Sequence, residues 1–198
     1  MSDDKITDRP GAAAPRIPAI CKALLEGLVA GHDAYLKMAG HGARAMPESF
    51  LQAHAATRLA DLYQSPYHVW LEPTFQQLGM RARGRQRIDI AVVNGRSPEV
   101  FRPRLVVEVK RGVRSDVIGN DLDRLAAIIE EAREQRRMIA GVMLCYHIAN
   151  TPNTLYHRLQ SVLNERQDIR TRFFCLEPKE TRRKNGALAY YQALCFRV

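Results

Sequence analysis

The spacing of apolar residues along this chain first follows a helical period. Ile20, Leu24 and Leu28 recur at every fourth position and predict a helix over 17–38. After a glycine-containing break near residue 40, a second apolar stripe predicts a helix over 47–63, with a proline in its first turn, where proline fits well. The folded part of the chain is therefore expected to begin with two helices.

The pattern then changes to the two-residue period that strands show. The segments 68–75, 87–93 and 104–110 each predict a strand, and NGRSPEVFRP connects the last two. Consecutive strands of this kind are expected to form an antiparallel meander.

Helix and strand patterns alternate in the second half of the chain. An amphipathic segment over 120–136 predicts a helix, and the continuous apolar run over 138–148 predicts a central strand that helices cover on both faces. A helix over 151–166 and strands over 172–176 and 188–196 follow, with the basic loop KETRRKNG between the last two. We therefore expect an α/β fold with a mixed central sheet flanked by helices.

Length and composition are those of an ordinary folded protein of one domain. Residues 1–16 lack periodic apolar positions and are expected to form a flexible tail. The single domain would comprise a helical extension over 17–46, a core over 47–150, and a C-terminal helix and strands over 151–198. The sequence contains no apolar stretch of membrane-spanning length and begins acidic and polar, so a cytoplasmic location without membrane contact is expected.

Charge and metal-ligating residues narrow the classes of function. Thirty Lys and Arg residues against 21 Asp and Glu give a net charge of +9, which favours a polyanionic partner such as nucleic acid or anionic lipid. The cysteines are far apart without a CxxC pair, and the six histidines include no HExxH. Zinc and disulfide frameworks are therefore not expected, and any bound metal should be a hard ion held by carboxylates.

Three charged residues are predicted to meet at one end of the sheet. If 87–93 and 104–110 pair as antiparallel neighbours, Asp89 lies near Glu108 and Lys110. Side chains alternate along a strand, so Glu108 and Lys110 share one face while the flanking valines fill the other. Two adjacent carboxylates repel each other unless a cation lies between them, and a divalent ion held by Asp89 and Glu108 resolves that repulsion.

Magnesium suits such a pair, because it binds through one or two carboxylates, keeps several waters and adds phosphate oxygens to its shell. Mn²⁺ is the alternative ion. Lys110 would then orient or deprotonate an attacking water, and its charge would stabilise the negative charge that develops on the phosphate oxygens.

The Asp89 position, the Glu108-Val109-Lys110 triplet and the order of elements around them resemble the PD-(D/E)xK nuclease superfamily, over roughly 47–148. The resemblance implies a restriction-endonuclease-like core, Asp89 and Glu108 as metal ligands, a contribution from the Val109 carbonyl, and Lys110 as the catalytic lysine. Glu48 matches the acid that many members place on the first core helix to complete the metal shell. The proline that names the superfamily is absent, since Ile88 precedes Asp89.

Alternatives remain open for two acidic segments. Glu48 in a first helical turn also complements the helix dipole without any catalytic role. The NDLDRL segment resembles the start of the helix that follows the ExK strand, and its Asp121, Asp123 and Arg124 either support the site or cap the helix, with capping favoured.

Basic residues are the candidates for phosphate contacts. The residues expected to bind nucleic acid are Arg81, Arg83, Arg85, Arg87 and Arg111. Arg182, Arg183 and Lys184 form a second basic loop, for which a phosphate contact and a solvated loop are equally open. Tyr190 and Tyr191 could stack on bases, but in an apolar strand they are expected to pack in the core or at an edge.

The sequence therefore predicts a Mg²⁺-dependent nuclease that hydrolyses DNA phosphodiester bonds, with DNA as the partner and a homodimer left open. One alternative is a non-catalytic module that keeps the nuclease fold and binds nucleic acid or protein. Another is a metal-dependent hydrolase that acts on RNA or a different phosphodiester.

Overall fold

A computed structural model describes residues 14–40, 46–81, 86–95, 102–167 and 172–198. Within this part of the chain the fold is α/β, with four helices and one mixed sheet of seven strands. The predicted tail lies almost wholly outside the described residues. The elements are α1 (Ile17–Ala39), α2 (Glu48–Leu62), β1 (Tyr67–Leu71), β2 (Ile90–Asn94), β3 (Arg102–Arg111), α3 (Ser115–Glu134), β4 (Ala140–Ala149), α4 (Pro152–Glu165), β5 (Phe173–Cys175), β6 (Lys179–Arg182) and β7 (Leu188–Arg197).

The sheet has the order β1-β2-β3-β4-β7-β5, and β6 also pairs with β7. Strands β1 to β3 form the predicted antiparallel meander, and β4 lies parallel to β3 in the centre of the sheet. A parallel pair needs a crossover, which α3 provides. The prediction of a buried central strand is confirmed, because eight of the ten residues of β4 are buried, although the strand spans Ala140–Ala149 instead of 138–148.

Helices cover both faces of the sheet, which explains why β4 is apolar on both sides. On one face, α1 and α2 pack on side chains that include Val92, Val107 and Tyr146. On the other, α3 and α4 pack on side chains that include Val106 and Cys145. The two faces therefore have separate cores, and alternate residues of β3 and β4 point into one or the other.

Helices α1 and α2 approach each other at Gly27. A Cβ atom added there would lie 2.7 Å from the Cα atom of Ala55, a distance that real Cβ atoms do not show. Leu24 and Leu28 are fully buried on either side of this contact. The absence of a side chain at Gly27 thus lets the two helix backbones pack directly against each other.

Several predicted boundaries differ from the structure, among them the start of β2, which is Ile90 instead of residue 87. Helix α3 begins at Ser115, five residues before the predicted start. Part of the predicted KETRRKNG loop forms β6, a short strand that pairs with β7 at 179–182. Strand β1 ends at Leu71, because Glu72 has a positive φ of 49° and Pro73 follows. No helix in the described ranges is long and apolar enough to cross a membrane.

Candidate active site

Strand β3 presents two charged side chains to the α3 face of the sheet. Val107 and Val109 point into the core under α1 and α2, and Glu108 and Lys110 alternate with them. Glu108 is 1% exposed, whereas the Lys110 side chain is 26% exposed. The strand therefore buries one charge fully and leaves the next able to reach solvent at its end.

Asp89 lies one residue before β2 and faces the same part of β3. The pairing of Ile90 with Val107 sets Asp89 beside Glu108, as the predicted register requires. The Asp89 carboxylate accepts a hydrogen bond from the Val109 N–H at 2.7 Å. The Asp89 side chain thus replaces a backbone hydrogen-bond acceptor just before β2 begins. This bond holds the carboxylate beside the stretch of β3 between Glu108 and Lys110.

The buried carboxylate of Glu108 forms an ion pair with Arg124 of α3 through Oε1. Its other oxygen, Oε2, is buried and has no hydrogen-bond partner among the described residues. A buried carboxylate needs a positive charge nearby, since desolvation of an unpaired charge is costly. Arg124 meets that need on one oxygen only.

Lys110 lies between two further carboxylates. Its Nζ atom is 3.9 Å from Glu48 Oε1 and 3.6 Å from Asp121 Oδ2. Glu48 also accepts a hydrogen bond from the Arg111 N–H at 3.0 Å, which ties the first turn of α2 to the end of β3. Asp121 in turn lies 3.5 Å from Arg124. We refer to these residues together as the carboxylate site, which comprises Glu48, Asp89, Glu108, Lys110, Asp121 and Arg124.

Burial shifts the proton affinities of this site. It raises the pKa of Asp89 above its ordinary value, and the Val109 N–H and the charges of Lys110 and Arg124 offset only part of that increase. Burial also lowers the pKa of the Arg124 guanidinium, which Asp89 partly restores. Cys145, fully buried behind the site, has a raised thiol pKa for the same reason and stays protonated.

The prediction that Asp121, Asp123 and Arg124 cap a helix is wrong. Helix α3 begins at Ser115, so these residues lie in its second and third turns. Asp121 and Arg124, one turn apart, both face the carboxylate site, whereas Asp123 pairs with Arg166 at 2.8 Å on the exposed side of the helix. The i,i+3 spacing of an acid and a base beside the apolar stripe was the sequence signal for this pair.

The six residues do not by themselves form a three-ligand metal site. In the part of the chain that the structure describes, no three His, Cys, Asp or Glu side chains are grouped closely enough to hold a metal ion. Lys110 and Arg124 instead lie against the carboxylates. The four carboxylates and two cations nevertheless leave an excess of two negative charges in a chain that is otherwise strongly basic.

Of the described arginines that were predicted to bind nucleic acid, Arg111 is the one in contact with the site. Its N–H contacts Glu48, and its guanidinium donates to the Met46 carbonyl at 2.7 Å. Arg87 is exposed but pairs with Glu72 at 3.2 Å, which offsets its charge. Arg81 is exposed and its N–H donates to Glu131. The predictions for Arg83 and Arg85 lie outside the described residues.

The sequence favoured a packing role for Tyr190 and Tyr191, and the structure shows that role for Tyr191. Tyr191 is buried and stacks on His32 of α1 with ring centroids 3.8 Å apart. His32 also forms a 2.6 Å hydrogen bond with the Tyr146 hydroxyl. This buried network joins α1 to the sheet and leaves Tyr191 without a surface for bases.

The comparisons with known proteins give no match: no family model, no curated protein and no solved structure is similar to this chain. The case for a function therefore depends on the site itself.

Proposed function

We propose that this chain is a divalent-metal-dependent nuclease of the PD-(D/E)xK type that hydrolyses DNA phosphodiester bonds. The observation that carries the proposal is the juxtaposition of Asp89, Glu108 and Lys110, with the Asp89 carboxylate bound to the Val109 N–H between the other two. Two acids and a lysine at one sheet end, partly open to solvent, are the groups that metal-assisted phosphodiester hydrolysis requires.

The order of elements around the site also supports this type. A helix bearing an acid in its first turn, an antiparallel meander, an ExK strand, a helix and a parallel strand follow one another from α2 to β4. That order is the one that the resemblance implies for a restriction-endonuclease-like core. Fold alone does not determine activity, so the residues of the carboxylate site remain the stronger support.

The donor groups fit a hard divalent cation. Asp89 and Glu108 would supply carboxylate oxygens, and Glu48, which contacts Lys110, would have to turn toward them to join the shell. The Val109 carbonyl points to the same side of β3 as the N–H that contacts Asp89. The buried Glu108 Oε2 atom, which lacks a partner among the described residues, is the strongest sign that a cation belongs here. When bound, Mg²⁺ or Mn²⁺ would lower the pKa of a water and neutralise charge on the phosphate.

Lys110 has the solvent access and the position for the catalytic role. Its side chain is only partly buried, and its contacts with Glu48 and Asp121 are longer than a close hydrogen bond. The ammonium group can therefore turn toward an attacking water or a phosphate oxygen. Glu48 and Asp121 would position Lys110 in addition to any metal contact by Glu48.

The substrate follows from charge. A chain with a net charge of +9 attracts a polyanion, and exposed arginines such as Arg111 lie next to the site. DNA is the substrate that we propose, and RNA is tested as a separate arm of the same experiment because both present the same phosphodiester.

The test is cleavage of supercoiled, linear and single-stranded DNA and of RNA, each with Mg²⁺, Mn²⁺ or EDTA. We expect metal-dependent cleavage by the wild type and a loss of about 100-fold or more in Asp89→Asn and Lys110→Ala, the usual cost of removing an acid–base or charge-stabilising group. Asp123→Asn, an acid of the same region that pairs with Arg166 on the surface, is the matched control and should cut normally. DNA binding without cleavage of any substrate would contradict the proposed nuclease activity.

One observation favours a second candidate, a non-catalytic nucleic-acid or protein-binding module. Arg124 already pairs with Glu108, so a resident cation meets the charge that a metal would otherwise neutralise. In such a module Mg²⁺ would not stabilise the fold. In the nuclease, Mg²⁺ raises the melting temperature, because a ligand that binds only the folded state stabilises it.

A further inference from the structure

A polar cavity opens directly beside the carboxylate site. It has a volume of about 470 Å³ and lies where β3 and β4 end, against the first turn of α4 and the segment after β6. Its walls include Arg111, Arg158 and Arg183 together with Asn150 and Thr154. We refer to it as the arginine pocket. Its volume falls within the range of roughly 300–1,000 Å³ that small-ligand sites occupy.

The guanidinium groups of the three arginines contact only neutral groups among the described residues. Arg111 donates to the Met46 carbonyl, Arg158 to the Ile148 carbonyl at 3.3 Å, and Arg183 to the Asn150 side chain at 2.6 Å. None of the three has a carboxylate within ion-pair distance in the described part of the chain, where other arginines such as Arg87 and Arg133 do. Three guanidinium groups around one cavity, none of them in contact with a carboxylate, favour an anionic ligand.

Two residues of the pocket wall also have buried polar atoms without a hydrogen-bond partner among the described residues. His147 is 2% exposed, and its Nε2 atom lies 3.1 Å from Gln192 Oε1, while Gln192 Nε2 donates to the Leu176 carbonyl. This arrangement makes Nε2 the protonated nitrogen and leaves Nδ1 as an acceptor. Nδ1 of His147 and Nε of Arg183 are both buried without a hydrogen-bond partner among the described residues. The unused N–H of Arg183 Nε is a donor that suits an anion, whereas Nδ1 of His147 is an acceptor and contributes nothing to the binding of one.

We propose that the arginine pocket binds the terminal phosphate of a nucleic-acid strand. A terminal phosphate monoester carries a charge of about −1.5 to −2 at neutral pH, whereas each internal diester carries one negative charge. The monoester therefore matches three uncompensated guanidinium groups better than an internal phosphate does. Arginine suits the task because its planar fork donates two parallel hydrogen bonds to phosphate oxygens. The positive end of α4, whose first turn includes Thr154, adds to the same field.

The position of the pocket gives the inference its functional meaning, which rests on the proposed nuclease activity. Arg111 follows Lys110 in the chain, so the pocket and the carboxylate site share the end of β3. A strand whose end is held by Arg111 would present a phosphodiester near that end to Lys110. The substrate class is therefore a nucleic acid with a phosphorylated end, and cleavage would begin close to that end.

The test measures binding in EDTA, so that nothing is cleaved. Four single-stranded oligonucleotides of one sequence, each with an internal fluorophore, carry a 5′ phosphate, a 3′ phosphate, both or neither, and fluorescence anisotropy gives their dissociation constants. We expect one phosphorylated end to bind about 10- to 100-fold more tightly than the hydroxyl end, the gain that one or two charge-assisted hydrogen bonds give. The arm that shows this preference identifies the 5′ or the 3′ end.

The variant Arg158→Gln/Arg183→Gln should remove the preference while the binding of the hydroxyl-ended strand falls only slightly. The control variant Arg58→Gln/Arg133→Gln loses the same amount of charge from helix surfaces, where both arginines pair with acids. This control should keep the preference for the phosphorylated end. A deoxynucleoside monophosphate, but not the nucleoside, should compete for the wild type, which tests the pocket without any variant. Equal binding of all four strands, or a preference that survives in the pocket variant, would overturn the proposal. A phosphate preference without cleavage under Mg²⁺ would keep the pocket and refute the nuclease.

Discussion

The two ends of strand β3 are both rich in arginine, yet they differ in what surrounds the charge. At its start, Arg102 and Arg104 face Arg136 and Arg137 across a groove of about 340 Å³ whose lining includes no acid. At its end, basic residues lie among the acids of the carboxylate site and beside the arginine pocket. Positive charge alone therefore does not identify a catalytic site on this molecule. The combination with buried carboxylates does, because only that combination provides chemistry in addition to attraction.

The largest expected effect comes from one substitution at each end of β3. For the proposed nuclease, Glu108→Gln should lower the cleavage rate by about 100- to 1,000-fold, since it removes a buried carboxylate from the metal and from Arg124. Arg104→Gln at the other end should cut within about twofold of the wild type. Initial rates on linear DNA with saturating Mg²⁺ measure both. Equal losses at the two ends would mean that the carboxylates have no special part in cleavage.

A second prediction concerns the cation that the site already contains. Arg124→Gln leaves Glu108 buried without its partner, so the free energy of unfolding in EDTA should fall by about 3 kcal/mol. Urea denaturation measures this, and Arg136→Gln is the control from the other end of β3. Mg²⁺ should restore more stability to Arg124→Gln than it adds to the wild type, because the metal no longer competes with a guanidinium. An unchanged stability would show that Arg124 is dispensable to the fold.

The third prediction follows from the neutral histidine of the arginine pocket. Burial lowers the pKa of His147 to about 4, with the nearby charge of Arg158 acting in the same direction. The folded pKa is thus below the unfolded one, and the unfolded state binds a proton first as the pH falls. Between pH 7 and pH 4 this residue should cost about 2–3 kcal/mol of stability. His147→Gln should reduce the acid-induced loss by that amount, whereas exposed His157→Gln should not.

The smallest expected effect is a change in the salt dependence of DNA binding, which compares the two basic ends of β3 as binding surfaces. In EDTA, Arg111→Gln should lower the slope of log affinity against log salt by about one for DNA, the change expected when one phosphate contact is lost. Arg104→Gln should leave the slope within experimental error. A reduction of the same size in both variants would indicate that DNA extends along the whole of β3, and the distinction between its ends would then hold for catalysis alone.

The sequence predicted those parts of the fold that a local pattern determines. Strand β4 could be placed because a long apolar run is typical of a strand covered on both faces. Asp89, Glu108 and Lys110 could be brought together because strand pairing and alternation suffice for that inference. These deductions need only the periodicity of apolar residues along the chain and the pairing of one strand with its neighbour.

The parts that could not be predicted depend on packing between distant segments. The first turns of α3 contain Gly119 and lack a clear apolar stripe, so its start at Ser115 was missed although Ile118 is fully buried. Whether Arg124 contacts Glu108 depends on how α3 lies across the sheet, which no spacing within α3 reveals. The arginine pocket unites residues from β3, α4 and the segment after β6, and β6 itself is too charged for its sequence to indicate a strand.

The contact between Gly27 and Ala55 limits how far the protein can be shortened. A fragment that began at Pro47 would keep every residue of the carboxylate site, yet it would uncover the face of α2 against which α1 packs without intervening side chains. Because Glu48 opens α2, loosening that helix would also displace an acid from the end of β3. Truncation from the N-terminus should therefore stop before Ile17, and a catalytic minimum sought by trimming would include the first helix.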